Sequence, residues 1–275
     1  MKSLFAHSSN IVAQLALAVL FVSPAVAHDP VFALGPHVLF KGGVEIAPQV
    51  ITANDEDDRD TETSVELTYG LTGDWAAGME LPYVDKSGIN DNSGFGDIKL
   101  FTKYRFWRRD SLGVQQSAAV LAKVKFDTNA GGLPPLGSGS TDGIFGLAYG
   151  YESRKWYRWV SARYRINGEN SMGLQSGNKL FIDLVGGIRL NPTAYDEPDT
   201  VWMLELNGEY TERSGLQGVS VSNSGGTEWF ISPGIFWTLR NFAVKAGVQI
   251  PLASDLNGNQ PDTDYRARLV LEWHL

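Results

Sequence analysis

Residues 97–106 read Asp97-Ile98-Lys99-Leu100-Phe101-Thr102-Lys103-Tyr104-Arg105-Phe106. Ile98, Leu100, Thr102, Tyr104 and Phe106 alternate with Asp97, Lys99, Phe101, Lys103 and Arg105. A period of two places every charge on one face of an extended strand and an uncharged row on the other. A helix would spread the same charges around its circumference.

The same alternation recurs in twelve segments. The first covers residues 40–49, with Phe40, Gly42, Val44 and Ile46 on one side and Lys41, Gly43, Glu45 and Gln49 on the other. Further along, Val65, Leu67 and Tyr69 alternate with Ser64, Glu66 and Thr68. Val160, Ala162 and Tyr164 alternate with Ser161, Arg163 and Arg165, and Leu204 and Leu206 with Glu205 and Asn207. The facing of residues 143–151 is ambiguous from pattern alone. The last segment carries Tyr265, Ala267, Leu269, Leu271, Trp273 and Leu275 on one face. Connections of 72–74, 107–111, 152–156 and 240–241 are short. Those of 51–61, 85–94, 127–141, 168–177, 211–226 and 253–262 are long and polar, and 191–200 is long for its side.

Folding these segments as successive hairpins sorts the aromatics by height. Trp75, Trp107, Trp156, Trp202, Trp237 and Trp273 fall at one rim; Tyr83, Phe126, Tyr164, Tyr210, Trp229 and Tyr265 fall at the other. Two aromatic girdles around an apolar band are what the two bilayer interfaces select. A soluble sandwich or carrier barrel shares the alternation but has no reason for the girdles. The expected fold is therefore all-β: an up-and-down antiparallel transmembrane β-barrel of twelve strands in the outer membrane of a Gram-negative bacterium.

The N-terminus fits that destination. Residues 1–27 carry Lys2, an apolar stretch at 11–22 and the small residues Ala25-Val26-Ala27, the pattern of a cleaved secretory signal. The expected organisation is signal 1–27, a periplasmic or lumen segment 28–39, and barrel 40–275. Loss of Lys2 makes the net charge of −8 one unit more negative, which argues against nucleic-acid binding. The chain has no cysteine, so a disulfide scaffold is excluded.

Gly94-Phe95-Gly96-Asp97-Ile98, continuing to Lys103-Tyr104-Arg105-Phe106, resembles the family named for a proposed role in the meta-cleavage pathway of phenol degradation. Residues 137–143, with Ser140-Thr141-Asp142, are similar to that family's third outer loop. Ile231-Ser232-Pro233-Gly234 and Ala246-Gly247-Val248-Gln249-Ile250-Pro251-Leu252 are similar to its last hairpin. The resemblance implies a transporter-like outer-membrane barrel and transfers no catalytic residue. It also implies a path for aromatic or aliphatic compounds.

The chemistry points the same way. Of the four histidines, His7 lies in the signal, His28 and His37 precede the first strand, and His274 is penultimate. A barrel hydrolase needs a histidine to activate its nucleophile at the rim, and none is placed there. No enzyme activity, cofactor or metal is expected. If residue 28 becomes the N-terminus, its free amine and the His28 imidazole form a nitrogen pair of copper type with His37 available as a third ligand, but a terminal histidine more often has no such role. The acidic run Asp55, Glu56, Asp57, Asp58 and Asp60 lacks the glycine of a calcium loop and reads as a solvated loop.

Inward charges sort by sign. Lys99, Lys103, Arg105, Lys123, Lys125, Arg163 and Arg165 form a basic strip. Glu45, Glu66, Glu80, Glu205, Glu209 and Glu228 form acidic walls. Pairing across the lumen explains them structurally; a strip guiding an anionic or polar solute explains them functionally. Phe101, Trp159, Phe181, Phe230 and Phe236 face inward or lie at the rim and either fill the lumen or line a path. The function expected is a narrow channel or transporter for small, hydrophobic or aromatic solutes. The alternative is a plugged structural or surface-interaction barrel without transport. Expected partners are outer-membrane lipid, a small solute and the barrel assembly machinery, with the chain a monomer.

Overall fold

A computed structural model describes residues 29–55, 58–88, 90–129, 131–193 and 197–275. Residues 1–27, expected to form a signal, and His28 lie outside the described residues. Twelve strands run antiparallel in chain order: β1 (Val44–Asp55), β2 (Asp58–Gly70), β3 (Trp75–Ser87), β4 (Lys99–Ser111), β5 (Val114–Lys125), β6 (Asp142–Ser153), β7 (Trp156–Ile166), β8 (Lys179–Ile188), β9 (Asp199–Thr211), β10 (Gly226–Leu239), β11 (Phe242–Leu256) and β12 (Tyr265–His274). Each pairs with the next, and β1 pairs with β12 from Glu45↔His274 to Asn54↔Tyr265, which closes the barrel and leaves no free edge. Both strand termini lie at the end with the short turns, the periplasmic end of such barrels.

The wall follows the sequence alternation. Leu100, Leu184 and Leu204 are exposed on the outside while Glu205 and Asp183 are buried inside. For β6, the ambiguous strand, Phe145, Leu147 and Tyr149 face out. The girdle residues also face out. At the periplasmic rim Trp273 lies 4.8 Å from Phe242, which lies 6.2 Å from Trp237.

Several boundaries differ from the sequence reading. The first strand starts at Val44, because residues 40–43 form a turn with Gly42 at φ +81°. Residues 51–61 are not a loop: the β1–β2 ladder runs on to Asp55↔Asp58. Nor are 107–111 a turn, since β4 continues to Ser111 through a bulge that lets Phe106 and Trp107 both face outward. The short strand Asn92–Phe95 extends β4 beyond residues 96–98 and pairs with β3, Tyr83↔Phe95 to Lys86↔Asn92. Leu174–Gln175, Gly215–Leu216 and Val219–Ser220 join two outer loops in a small three-stranded sheet.

The lumen is not empty. Residues 29–39 run inside the barrel and pack against β7–β11. Val31 and Ala33 join Tyr157, Trp159, Val185, Val201, Met203, Phe236 and Ala243 in one apolar cluster. Burying each such side chain contributes roughly 1.5–3 kcal/mol for the larger ones, so the segment is seated by packing as well as by polar contacts.

Candidate functional site: the lumen and its N-terminal segment

An extended segment inside a barrel brings backbone N–H groups that need acceptors. Glu205 on β9 supplies them. Its carboxylate accepts from Val31 N at 2.7 Å, from Ala33 N at 2.9 Å and from Phe32 N at 3.2 Å to both oxygens. The side chain is 1% exposed. Leu34 N donates to Ser161 Oγ at 3.2 Å, and Ser161 donates to Asp183 at 2.7 Å. Asn207 links Asp183, Ser232 and Gln249, so a polar belt runs across β7–β11 beneath the segment. On the other flank Arg268 donates to Val31 O at 2.5 Å and to Gln49 at 2.6 Å. Lys103 reaches Asp29 at 2.6 Å. His37 pairs with Glu152, which also accepts from Trp159 Nε1 at 2.9 Å.

The apolar seat of the segment lies on the β7–β11 side. A cavity of about 190 Å³ remains beside it, lined by Glu45, Glu66, Thr68, Ala76, Phe101, Lys103, Leu121 and Lys123 on the β1–β5 wall and closed off by Arg163, Lys245, Arg268 and Glu272. Its surface mixes aromatic, aliphatic and charged groups.

The expected basic strip and acidic walls do face inward, but mostly as local pairs. Glu80, 4% exposed, takes Lys99 at 3.0 Å and Lys123 at 3.2 Å, and Lys99 also reaches Glu62 at 2.9 Å. Arg163 pairs with Asp183 at 3.0 Å and lies over the Phe181 ring, as Lys123 lies over Phe101. Glu209 and Glu228 share Arg266, at 2.5 and 3.6 Å, and Arg266 covers Phe230. Glu45 faces His274 at 2.9 Å. Among the described residues Glu66 accepts from Thr68, at 3.5 Å. Arg105 and Glu205 leave the expected grouping. Arg105 belongs to the periplasmic end, bound to Asp74 at 2.7 Å. Glu205 is no part of an open acidic wall, because the N-terminal segment consumes its carboxylate.

Lys125 and Arg165 serve a different device. Lys125 binds Asp97 at 2.6 Å and Asp142 at 3.2 Å, and Arg165 binds Asp142 at 2.6 Å. Asp97 also accepts from Thr128 N, Asn129 N, the Asn129 amide and Ser138 N. Asp142 accepts from Ser140 and Gly168 N. Together they clasp the loop between β5 and β6 over the outer mouth, with its own Leu136 and Ser140 buried. Burial alone would raise the Asp97 pKa; the Lys125 ammonium, the Asn129 amide and the Thr128 N–H outweigh it and hold the carboxyl below its ordinary value. The sequence alternation puts Asp97 on the charged face of its strand, while Asp142 stands out only within the motif of residues 137–143.

Sequence reasoning also passed over Lys245, Arg266, Arg268 and Glu272. They occupy inward positions of β11 and β12 and obey the same period of two, so the signal was present. Asp29 carried no such signal, because the segment around it has no periodicity.

Structural comparison agrees with this architecture. An outer membrane channel from Pseudomonas putida F1 superposes with a TM-score of 0.67 at 15% identity, covering 87% of this chain and 98% of that one. The NanC porin gives 0.51 at 10% identity, covering 84% and 100%. The β domain of the Bordetella autotransporter BrkA gives 0.50 at 12%, covering 86% and 100%. At these identities the likeness is one of fold. No curated protein matches the sequence. The family model described as putative MetA-pathway of phenol degradation matches residues 41–253, all twelve strands but the last and the end of the eleventh, and the chain belongs to that family.

Proposed function

We infer that the protein is a narrow outer-membrane channel for small solutes, and that its path follows the β1–β5 side of the lumen. The observation that carries this is the one-sided seat of residues 29–39. The segment has its own acceptor, Glu205, and its own apolar cluster on β7–β11, and it leaves a lined cavity opposite. A segment serving only to fill the barrel would leave no such wall. Because the basic strip is largely neutralised by local pairs, the favoured solute is neutral or weakly charged. Phe101, Leu121 and Ala76 offer it apolar contact, and Lys103, Lys123 and Glu66 offer hydrogen bonds. The family's link to phenol degradation fits a small aromatic compound.

Planar-bilayer recording of the wild type and of a variant lacking residues 29–39 tests the reading. Measurable wild-type conductance that rises on deletion supports it. Absence of conductance in both, with uptake into liposomes also absent, returns the chain to the plugged interaction barrel. That second reading draws on the same seat, since docked residues 29–39 and clasped loop 127–141 together narrow the lumen at both ends.

A further inference from the structure

Arg158 is out of place for a lipid-facing wall. On β7 it shares a face with Trp156 and Val160, while Tyr157 and Trp159 point inward and are buried. Its register partners are Tyr151 on β6 and Gly186 on β8, one step closer to the membrane centre than the row of Trp156, Ile188 and Trp202. Among the described residues it is the one charged side chain on the outer wall between the two girdles, since the outward Arg109 of β4 lies beyond its girdle residue Trp107. It has no ion pair among them; its guanidinium lies 5.8 Å from the centre of the Tyr151 ring.

The surroundings form a seat. The same cross-strand row continues from Arg158 and Tyr151 to Gln116 and Arg109 on β5 and β4. On the other side Gly186 presents no side chain, and the space where its Cβ would stand is open. The result is a notch in the apolar wall beside a planar cation. Arg154 and Lys155, both exposed, add positive charge at the adjoining periplasmic turn.

We propose that Arg158, Tyr151 and the Gly186 notch bind one anionic phospholipid of the periplasmic leaflet, the guanidinium pairing with the phosphate diester and an acyl chain lying along Leu184 and Leu204. A guanidinium matches phosphate geometry with two parallel donors. Its long stem lets the charge reach the headgroup layer from a wall position just inside the girdle. The charge sits near the interface, where such a group is tolerated, rather than at the midplane. The site is independent of solute passage through the lumen.

The test uses the full-length barrel folded into bilayers of phosphatidylethanolamine and phosphatidylglycerol, extracted in mild detergent and weighed by native mass spectrometry. The wild type is expected to retain one phosphatidylglycerol in preference to phosphatidylethanolamine. Arg158→Gln should lower that retention about tenfold, the loss of one charge-assisted contact, and Arg158→Lys should fall between. Arg240→Gln, at an exposed turn elsewhere on the periplasmic rim, should retain the lipid as the wild type does. Equal retention by Arg158→Gln and Arg240→Gln overturns the proposal. So does a wild type that holds the two lipids equally, a result that decides the matter even if Arg158→Gln does not fold.

Discussion

Replacing Glu205 with glutamine should unseat residues 29–39 without opening the barrel wall. The carboxylate now accepts from three consecutive N–H groups, at 2.7 Å from Val31, 2.9 Å from Ala33 and 3.2 Å from Phe32. Glutamine keeps one oxygen and turns an NH₂ toward an N–H that can only donate. One charge-assisted bond, worth roughly 1.5–3 kcal/mol, is lost and a buried donor is left unpaired. Relief from burying a full charge returns part of that. The net weakening is about 2 kcal/mol, a shift of about 30-fold toward the unseated segment. The cysteine-free chain provides the assay. Ala33, 8% exposed, is replaced by cysteine and its maleimide labelling is timed in folded barrels. Labelling should accelerate by about the same 30-fold factor in the Glu205→Gln background, with a matching rise in open-channel conductance and unchanged heat modifiability. If labelling and conductance both stay at the wild-type level, Glu205 does not hold the segment.

Three further outcomes follow from the geometry. Leu184→Arg should cost about 2–4 kcal/mol in folding into bilayers, whereas Leu184→Phe should fold normally; similar yields for both would refute the outward facing of β8. Lys123→Gln with Arg163→Gln should lower thermal stability but barely move the reversal potential in a salt gradient, because both cations are committed to Glu80 and Asp183; a large loss of anion preference would restore the guiding strip. The depressed Asp97 pKa contributes stability that is present above the ordinary carboxylate pKa and lost as pH falls through the lower folded value. Proteolysis within loop 127–141 should therefore be unchanged from pH 7 to 5 and accelerate only in stronger acid, and acceleration near pH 6 would contradict the clasp.

The outer wall was legible because lipid reads side chains at every second position. Strand number, the girdles and the inward charges of β4, β5 and β7 all follow from that one selection. Legibility failed where lipid no longer applies. Beyond the outer girdle both faces of a strand meet water, so residues 51–55 and 58–61 lost their contrast and read as a loop. At Phe106 and Trp107 two adjacent aromatics broke the period, because a bulge turns both outward, and the strand seemed to end. Residues 29–39 follow the irregular contour of an interior, and their partner Glu205 looked like any other inward acid. The alternation marks Asp97 and Lys125 as inward charges, but not that Lys125 joins Asp97 to Asp142 across residues far apart in the chain.

The seat of residues 29–39 also fixes an order of events. Val31 and Ala33 lie 174 and 172 residues before the carboxylate that holds them. Residues 29–39 thus need β9, and the cluster completed by Phe236 and Ala243, before they have anywhere to dock. Contacts of such long separation form late, after the local hairpins have already repaid their loop entropy. Docking of residues 29–39 is thus the long-range step of this fold, and the strand hairpins are its local ones.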